Sequence, residues 1–200
     1  MMKRSFSLLL ILTLILSSFS LVASAAGGVD QVMSDFNIMP QSCSADSENL
    51  VTRSEFAFTI ANILGSGEQA PRETSYVDVP EDDENSGYIY FATVNGFLLP
   101  NGDMFCPNDP ITLHDFNDAV VKLLAYETIA QSNGGGVDGA MKTVRDLKIY
   151  NGVTITTYDS VTVKQYRQLI YNLMTANIAV FKMSVVGMTT SVFCICIVGT

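Results

Sequence analysis

A chain of 200 residues, 48% hydrophobic and 16% charged, has the composition of an ordinary folded protein. Its charge is less ordinary, because 20 acidic residues against 11 basic ones leave a net of −9. So acidic a chain repels nucleic acid and anionic membrane, which excludes both as favoured partners, and any anionic ligand has to be held locally by placed cations or helix N-termini.

The first predicted element is an export signal. Lys3 and Arg4 form a short positive region, and residues 8–16 read LLLILTLIL, an apolar run broken only by Thr13 and too short to span a bilayer. Ala23-Ser24-Ala25 supplies the small residues that signal peptidase reads, so cleavage after Ala25 or Ala26 is expected in preference to an uncleaved anchor. The exported remainder keeps 9 basic and 20 acidic residues, a net of −11.

Three segments of that remainder share one pattern: VTRSEFAFTIANIL from Val51, ITLHDFNDAVVKLL from Ile111 and VTVKQYRQLIYNLM from Val161. Thr52, Thr112 and Thr162 correspond, spaced 60 and 50 residues apart. Each is followed three positions later by Glu55, Asp115 or Gln165, the capping-box signature of a helix start, loosened to Asp in the second copy. Apolar residues then recur at helical spacing: Phe56, Ile60, Ile63 and Leu64; Phe116, Val120, Leu123 and Leu124; Tyr166, Ile170, Leu173 and Met174.

A shorter helix is predicted ahead of each copy, ending near residues 36–39, 95–98 and 147–150. Asn37 and Gly96 suit a left-handed stop there, and Lys148 suits it poorly. Val29, Val32, Met33 and Phe36, and likewise Ala140, Val144 and Leu147, repeat at helical spacing. Helix pairs this short cannot bury their apolar stripes alone, so the units are expected to pack around a shared centre, with Gly65–Thr74 and Gln131–Gly139 as linkers. From Ile178 to Val198 the chain is apolar apart from Lys182 and some Ser and Thr; strands of a following domain or a strand pair on the bundle are preferred there over a membrane span.

Residues that carry chemistry are sparse. Cys43 and Cys106 fall in separate loops and Cys194 and Cys196 lie two apart, so no disulfide framework is legible, nor is a cluster with zinc spacing. Asn101, Asp103 and Asp109 share a loop that reads as solvated turns in preference to a calcium site. His114 is the sole imidazole, without a paired Ser or Cys, and Asp82 and Asp83 lie in a charged loop. Catalysis is therefore not expected, and no cofactor or metal is implied.

Three stretches carry a family resemblance: Val51-Thr52-Arg53-Ser54-Glu55-Phe56; Tyr76-Val77-Asp78-Val79-Pro80 followed by Gly87-Tyr88-Ile89; and the run from Asn95-Gly96-Phe97-Leu98 through Asn101-Gly102-Asp103 and Phe105-Cys106-Pro107 to Ile111-Thr112. They are similar to the I/V-T-R-A-E-F hallmark, the F-x-D-V-P opening and the G-I-I-x-G-x-x-D-G-x-F-x-P-x-x-x-I-T stretch of S-layer homology (SLH) domains on Gram-positive cell surfaces. Leu124-Ala125-Tyr126-Glu127, Ala130, Gly134-Gly135 and Leu169-Ile170-Tyr171-Asn172 resemble the third repeat of clostridial members. On this resemblance the chain divides into a signal peptide at 1–25, repeats at 29–66 and 75–126, a degenerate repeat at 127–176 and an apolar segment at 177–200.

The resemblance implies a mainly α fold, a three-fold pseudo-symmetric bundle of helix–loop–helix repeats with the long helices inside and grooves between repeats. It also implies a secreted, cell-wall or cell-surface protein of a Gram-positive-type bacterium that binds secondary cell-wall polysaccharide noncovalently, often through a pyruvylated terminal sugar. A ketal carboxylate suits a guanidinium fork at a helix N-terminus, which makes Arg53, with Thr52, Glu55 and Asp78, the implied ligand-binding set. Arg53 has a second reading, as an arginine satisfying Glu55 or a neighbouring loop, and Asp78 reads more readily as a turn or cap residue.

This chain departs from the pattern at Leu113 and Val163, which replace the second and third hallmark arginines, and at Glu84 and Asn85, which replace a Trp-Ala pair. His114, at the hallmark Ala position, reads as a surface residue, and Arg145 and Arg167 as cations outside any groove. Weak or single-groove binding is therefore expected, with Arg53→Ala weakening it more than Arg145→Ala or Arg167→Ala while thermal stability stays nearly unchanged. The alternative is a set of degenerate repeats that serve as a structural or protein-interaction module without glycan.

Overall fold

The computed structural model describes residues 31–176 apart from 32, 67, 68, 156, 157 and 159. The predicted signal peptide, the segment 177–200 with Cys194 and Cys196, and Val29 and Val32 lie outside the described residues. The fold is mainly helical. A 3-10 turn, Gln41–Cys43, is followed among the described residues by α1 (Arg53–Ile63), α2 (Ser86–Val94), α3 (Leu113–Leu123), α4 (Glu127–Ser132), α5 (Gly136–Asp146) and α6 (Val163–Met174). Among the described residues no strand forms, extended segments meet only in isolated bridges, and no helix is long and apolar enough to cross a membrane. The chain divides after Ile38 into two compact units. In the first, a helical turn stops at Asn37, whose φ is 48°, with the Ile38 N–H donating to the Met33 carbonyl at 2.9 Å.

In the second unit, α1, α3 and α6 begin where the threonines predict. Thr52, Thr112 and Thr162 are extended N-caps whose hydroxyls accept the N–H of Glu55, Asp115 and Gln165 at 3.2, 3.0 and 3.3 Å. The side chains of Glu55 and Gln165 accept in return from their N-cap N–H groups at 2.8 and 3.0 Å; Asp115, one methylene shorter, makes no such return bond. Val51, Ile111 and Val161 precede the caps, and Phe56, Phe116 and Tyr166 lie four positions into the helices. All six are buried, at the two positions where a hydrophobic staple sets the entry of a chain into a helix.

A helix start leaves N–H groups that the helix cannot satisfy. Here the loop ahead of another start supplies the acceptor: Arg53 N–H donates to the Asp109 carbonyl at 3.0 Å, Leu113 N–H to Tyr158 at 3.0 Å and Val163 N–H to Asn49 at 2.8 Å. The following N–H groups of Ser54 and Lys164 donate to Pro107 and Ser47 at 3.0 and 3.1 Å. Val51 and Ile111 tie the starts together by donating to the carbonyls of Val161 and Val51 at 2.9 and 2.8 Å. Behind this backbone set, Phe56 sits against both Phe116 and Tyr166, with ring centroids 5.6 and 6.0 Å apart.

The structure corrects three details of the sequence reading. Lys148 adopts φ 62° and stops α5 just as Gly96, at 69°, stops α2; each is followed by a closing bond, Ile149 N–H to Val144 at 3.2 Å and Phe97 N–H to Ala92 at 2.8 Å. Burial of Ile149 and closure of that turn outweigh the cost, roughly 1–2 kcal/mol, of a left-handed L-residue. The expected linker Gln131–Gly139 shrinks, since Gln131 and Ser132 end α4 and Gly136–Gly139 open α5. Those two helices approach so closely that a Cβ on Gly139 would lie 2.2 Å from the Ala130 carbonyl oxygen, which only glycine allows. Finally, Leu64 is 41% exposed, while Ala57 and Ala61 are buried, because α1 is covered on a second side where Phe58 meets Tyr88 of α2 at 4.9 Å.

Phe56→Ala is expected to lower stability by about 3–5 kcal/mol, read as a shift of the urea midpoint at constant slope. Among the described residues, the buried Tyr166 hydroxyl has no hydrogen-bond partner. Tyr166→Phe should therefore leave stability unchanged or raise it by up to about 1 kcal/mol, since an unsatisfied buried hydroxyl is a cost.

Burial also acts on titration, pushing the Cys43 thiol from 9.0 up to about 11 and the Tyr150 phenol from 10.0 up to about 12. Both are held neutral by the fold, so their contribution is whole below pH 9 and 10 and is lost as pH climbs towards 11 and 12. Equilibrium unfolding across that range should show stability falling with pH, and Tyr150→Phe should flatten the part of the slope above pH 10.

Candidate functional site: the Arg53 clasp and its groove

Arg53 opens α1 and spends its guanidinium inside the protein. Nε donates to the Phe105 carbonyl at 2.9 Å, Nη2 to the Leu99 carbonyl at 2.7 Å, and Nη1 to Asp115 Oδ2 at 2.9 Å. The fork also lies over the buried Phe105 ring, 4.8 Å from its centroid, and the side chain is only 11% exposed. Together with the backbone N–H groups of Arg53 and Ser54, one helix start satisfies four carbonyls of the loop that leads to α3: Leu99, Phe105, Pro107 and Asp109.

Asp78 holds the same loop from its other side. Its two oxygens accept the N–H groups of Phe105 and Cys106 at 2.9 and 2.6 Å, fixing a turn in which Cys106 takes φ 59°. Cys106 is a half-buried thiol whose pKa is raised, by burial first and then by Asp109 and Asp78. Thr52 and Glu55 form the cap beneath: Glu55 Oε2 accepts from the Thr52 N–H at 2.8 Å and hydroxyl at 3.1 Å, and Oε1 accepts from the Ser42 hydroxyl.

Of the four residues implied as a ligand-binding set, Arg53 and Asp78 thus converge on one loop, and Thr52 and Glu55 serve the helix start. Asp115, the partner that sequence reasoning missed, carried one signal: it is too short for the reciprocal capping bond that Glu55 and Gln165 make.

Related clasps hold the other two loops. Arg167 of α6, expected to be a surface cation, donates from Nε to Asp46 Oδ1 at 2.8 Å and from Nη1 to the carbonyls of Cys43 and Ser44 at 2.9 and 2.8 Å. Tyr150, ahead of α6, donates its hydroxyl to Asn117 Oδ1 on α3 at 2.6 Å. Asn101, Asp103 and Asp109 fall in turns, where Asn101 pairs with Met104 and the Asp103 carbonyl accepts the Val77 N–H at 3.0 Å.

Beside the Arg53–Asp115 pair lies a groove of about 240 Å³ between the loop after α2 and helices α3, α4 and α5. Leu99, Asp115, Asp118, Val121, Glu127 and Ala140 are among its lining residues. It is smaller than the 300–1,000 Å³ typical of drug-sized sites, so it fits a single small group and not a folded-in chain. His114 sits half-exposed at its edge, with Nδ1 3.6 Å from Asp118 Oδ2. Asp118 has its pKa raised, chiefly by burial and further by Asp115, against the lowering effects of His114 and Lys122. Lys122 donates to the Gly96 carbonyl at the end of α2. The groove is therefore amphipathic, with more carboxylate than cation on its walls.

No model of a known protein family matches this sequence, and no curated protein matches it.

Because Arg53 makes a charged pair and two further bonds at low exposure, Arg53→Ala should cost about 2–4 kcal/mol, contrary to the unchanged stability expected from an exposed arginine. A cycle with Asp115→Asn, measured by urea unfolding, should return a coupling of about 1 kcal/mol or more.

Proposed function

We propose that this chain is an exported, non-enzymatic cell-surface module whose helix–loop–helix repeats pack as a pseudo-threefold bundle and hold a secondary cell-wall polysaccharide noncovalently beside Arg53. The observation that carries the reading is the recurrence of one design at three places: a threonine cap, a buried apolar pair, and a first helical N–H that donates to the loop ahead of the next start, from Arg53 to Asp109, Leu113 to Tyr158 and Val163 to Asn49. Repetition of backbone chemistry, beyond repetition of letters, supports true repeats, and the motif resemblance supplies the polymer. The adjoining groove offers apolar walls at Leu99 and Val121 and carboxylate acceptors for sugar hydroxyls at Asp118 and Glu127. His114, the one imidazole, faces Asp118 and not a nucleophile, which favours binding over nucleophilic catalysis.

A second reading, degenerate repeats that act as a structural or protein-interaction module, is favoured by one observation. The guanidinium expected to meet a glycan carboxylate is already engaged, through one donor on each of its three nitrogens, by Phe105, Leu99 and Asp115, and Leu113 and Val163 offer no replacement.

Purified sacculi that retain or lack their secondary polymer separate the two. Wall binding predicts retention of the exported chain on polymer-bearing sacculi alone. No retention on either preparation would hand the function to the second reading, and equal retention on both would refute polymer recognition.

A further inference from the structure

We propose that Asp115 sets the charge selectivity of the groove: its carboxylate sits on the Arg53 fork where an anionic ligand would sit, so the groove rejects anions and is left to uncharged segments of a ligand. That the ligand is a glycan rests on the wall-binding reading; the exclusion of anions rests on the geometry alone.

The Arg53–Asp115 contact is internal to the fold, at 2.9 Å with side chains 11% and 24% exposed, so solvent and salt screen it poorly. The carboxylate also makes no capping bond to the helix it stands on. Asp115 occupies the third position of α3, where Glu55 in α1 and Gln165 in α6 cap their own helix starts, yet its side chain turns to Arg53 and its backbone N–H alone serves the Thr112 cap. A residue conforming to the other two starts would leave Nη1 of Arg53 without this partner.

The rest of the groove agrees in sign. Asp118 and Glu127 line it with Asp115, Lys122 is committed to the Gly96 carbonyl, and His114 faces Asp118. An incoming anion would have to displace Asp115 from the guanidinium and leave that carboxylate close to Asp118, whose own pKa is raised by burial first and then by Asp115.

Deleting the Asp115 carboxylate should invert the selectivity. The vacated volume is that of a carboxylate, bounded by a guanidinium that can donate to it and by the N-terminal turn of α3, both favourable to an anion. The test compares melting temperatures of the exported chain in 100 mM sodium acetate and 100 mM sodium chloride. Wild type should show no difference. Asp115→Ala should melt about 2–6 °C higher in acetate, as a site half-filled near roughly 10 mM requires, and the gain should vanish in the double variant Arg53→Met, Asp115→Ala. Should Asp115→Ala not fold in chloride, recovery of its helical circular dichroism by acetate is the equivalent readout. The proposal is overturned if acetate stabilises wild type as much as the variant, if the double variant keeps the gain, or if Asp115→Ala is indifferent to acetate, folded or not. No wall polymer enters this experiment, so its failure and the failure of polymer recognition are told apart.

Discussion

Three helices whose starts are tied to one another's approach loops bring with them a set of N–H groups that no helix can satisfy. In this chain that constraint governs the rest of the fold. The threonine hydroxyls satisfy one donor at each start, and the loops ahead of the helices satisfy the first ones with the carbonyls of Asp109, Tyr158 and Asn49. The loops are consequently structural members. They must be held at fixed distances from the helix starts, which accounts for the polar side chains spent on them: Arg53 and Asp78 on the loop to α3, Tyr150 with Asn117 ahead of α6, and Arg167 on the loop to α1.

The same arrangement concentrates the positive ends of three helix dipoles. An acidic chain has ready counter-charges, and Glu55 and Asp115 stand in the first turns of α1 and α3, while the third start carries the neutral Gln165. Glu55 answers the dipole and caps. Asp115 answers the dipole and binds Arg53 instead of capping. One methylene of side-chain length thus separates a residue that closes its own helix from one that reaches across to another.

The most distinctive cation of the repeat pattern thus stands behind Asp115, which lines the groove, and is not itself one of the lining residues. A wall-binding role through this groove depends on hydroxyl recognition and apolar contact, and a structural role depends on nothing more than the clasp already present. The two readings make different demands on the groove and the same demand on the loop.

Much of this was legible in the residue order. Thr-x-x-Glu, Thr-x-x-Asp and Thr-x-x-Gln announce helix starts because a short hydroxyl and an acceptor three residues on meet whatever the surroundings, and Phe56, Phe116 and Tyr166 follow at a spacing that puts them on one face. Local chemistry suffices for both. Tertiary structure alone decided the rest: that Lys148 would take a glycine's conformation, because the turn it closes buries Ile149; that α4 would form and press on Gly139; and that Leu64 would lie at the surface. Above all it decided the fate of Arg53. A guanidinium at a helix start binds a ligand or a neighbour with equal ease, and the outcome depends on carbonyls 46 and 52 residues away in the chain and a carboxylate 62 away. Separation of that kind is invisible to spacing and periodicity, because only folding turns it into a distance of 2.7–2.9 Å.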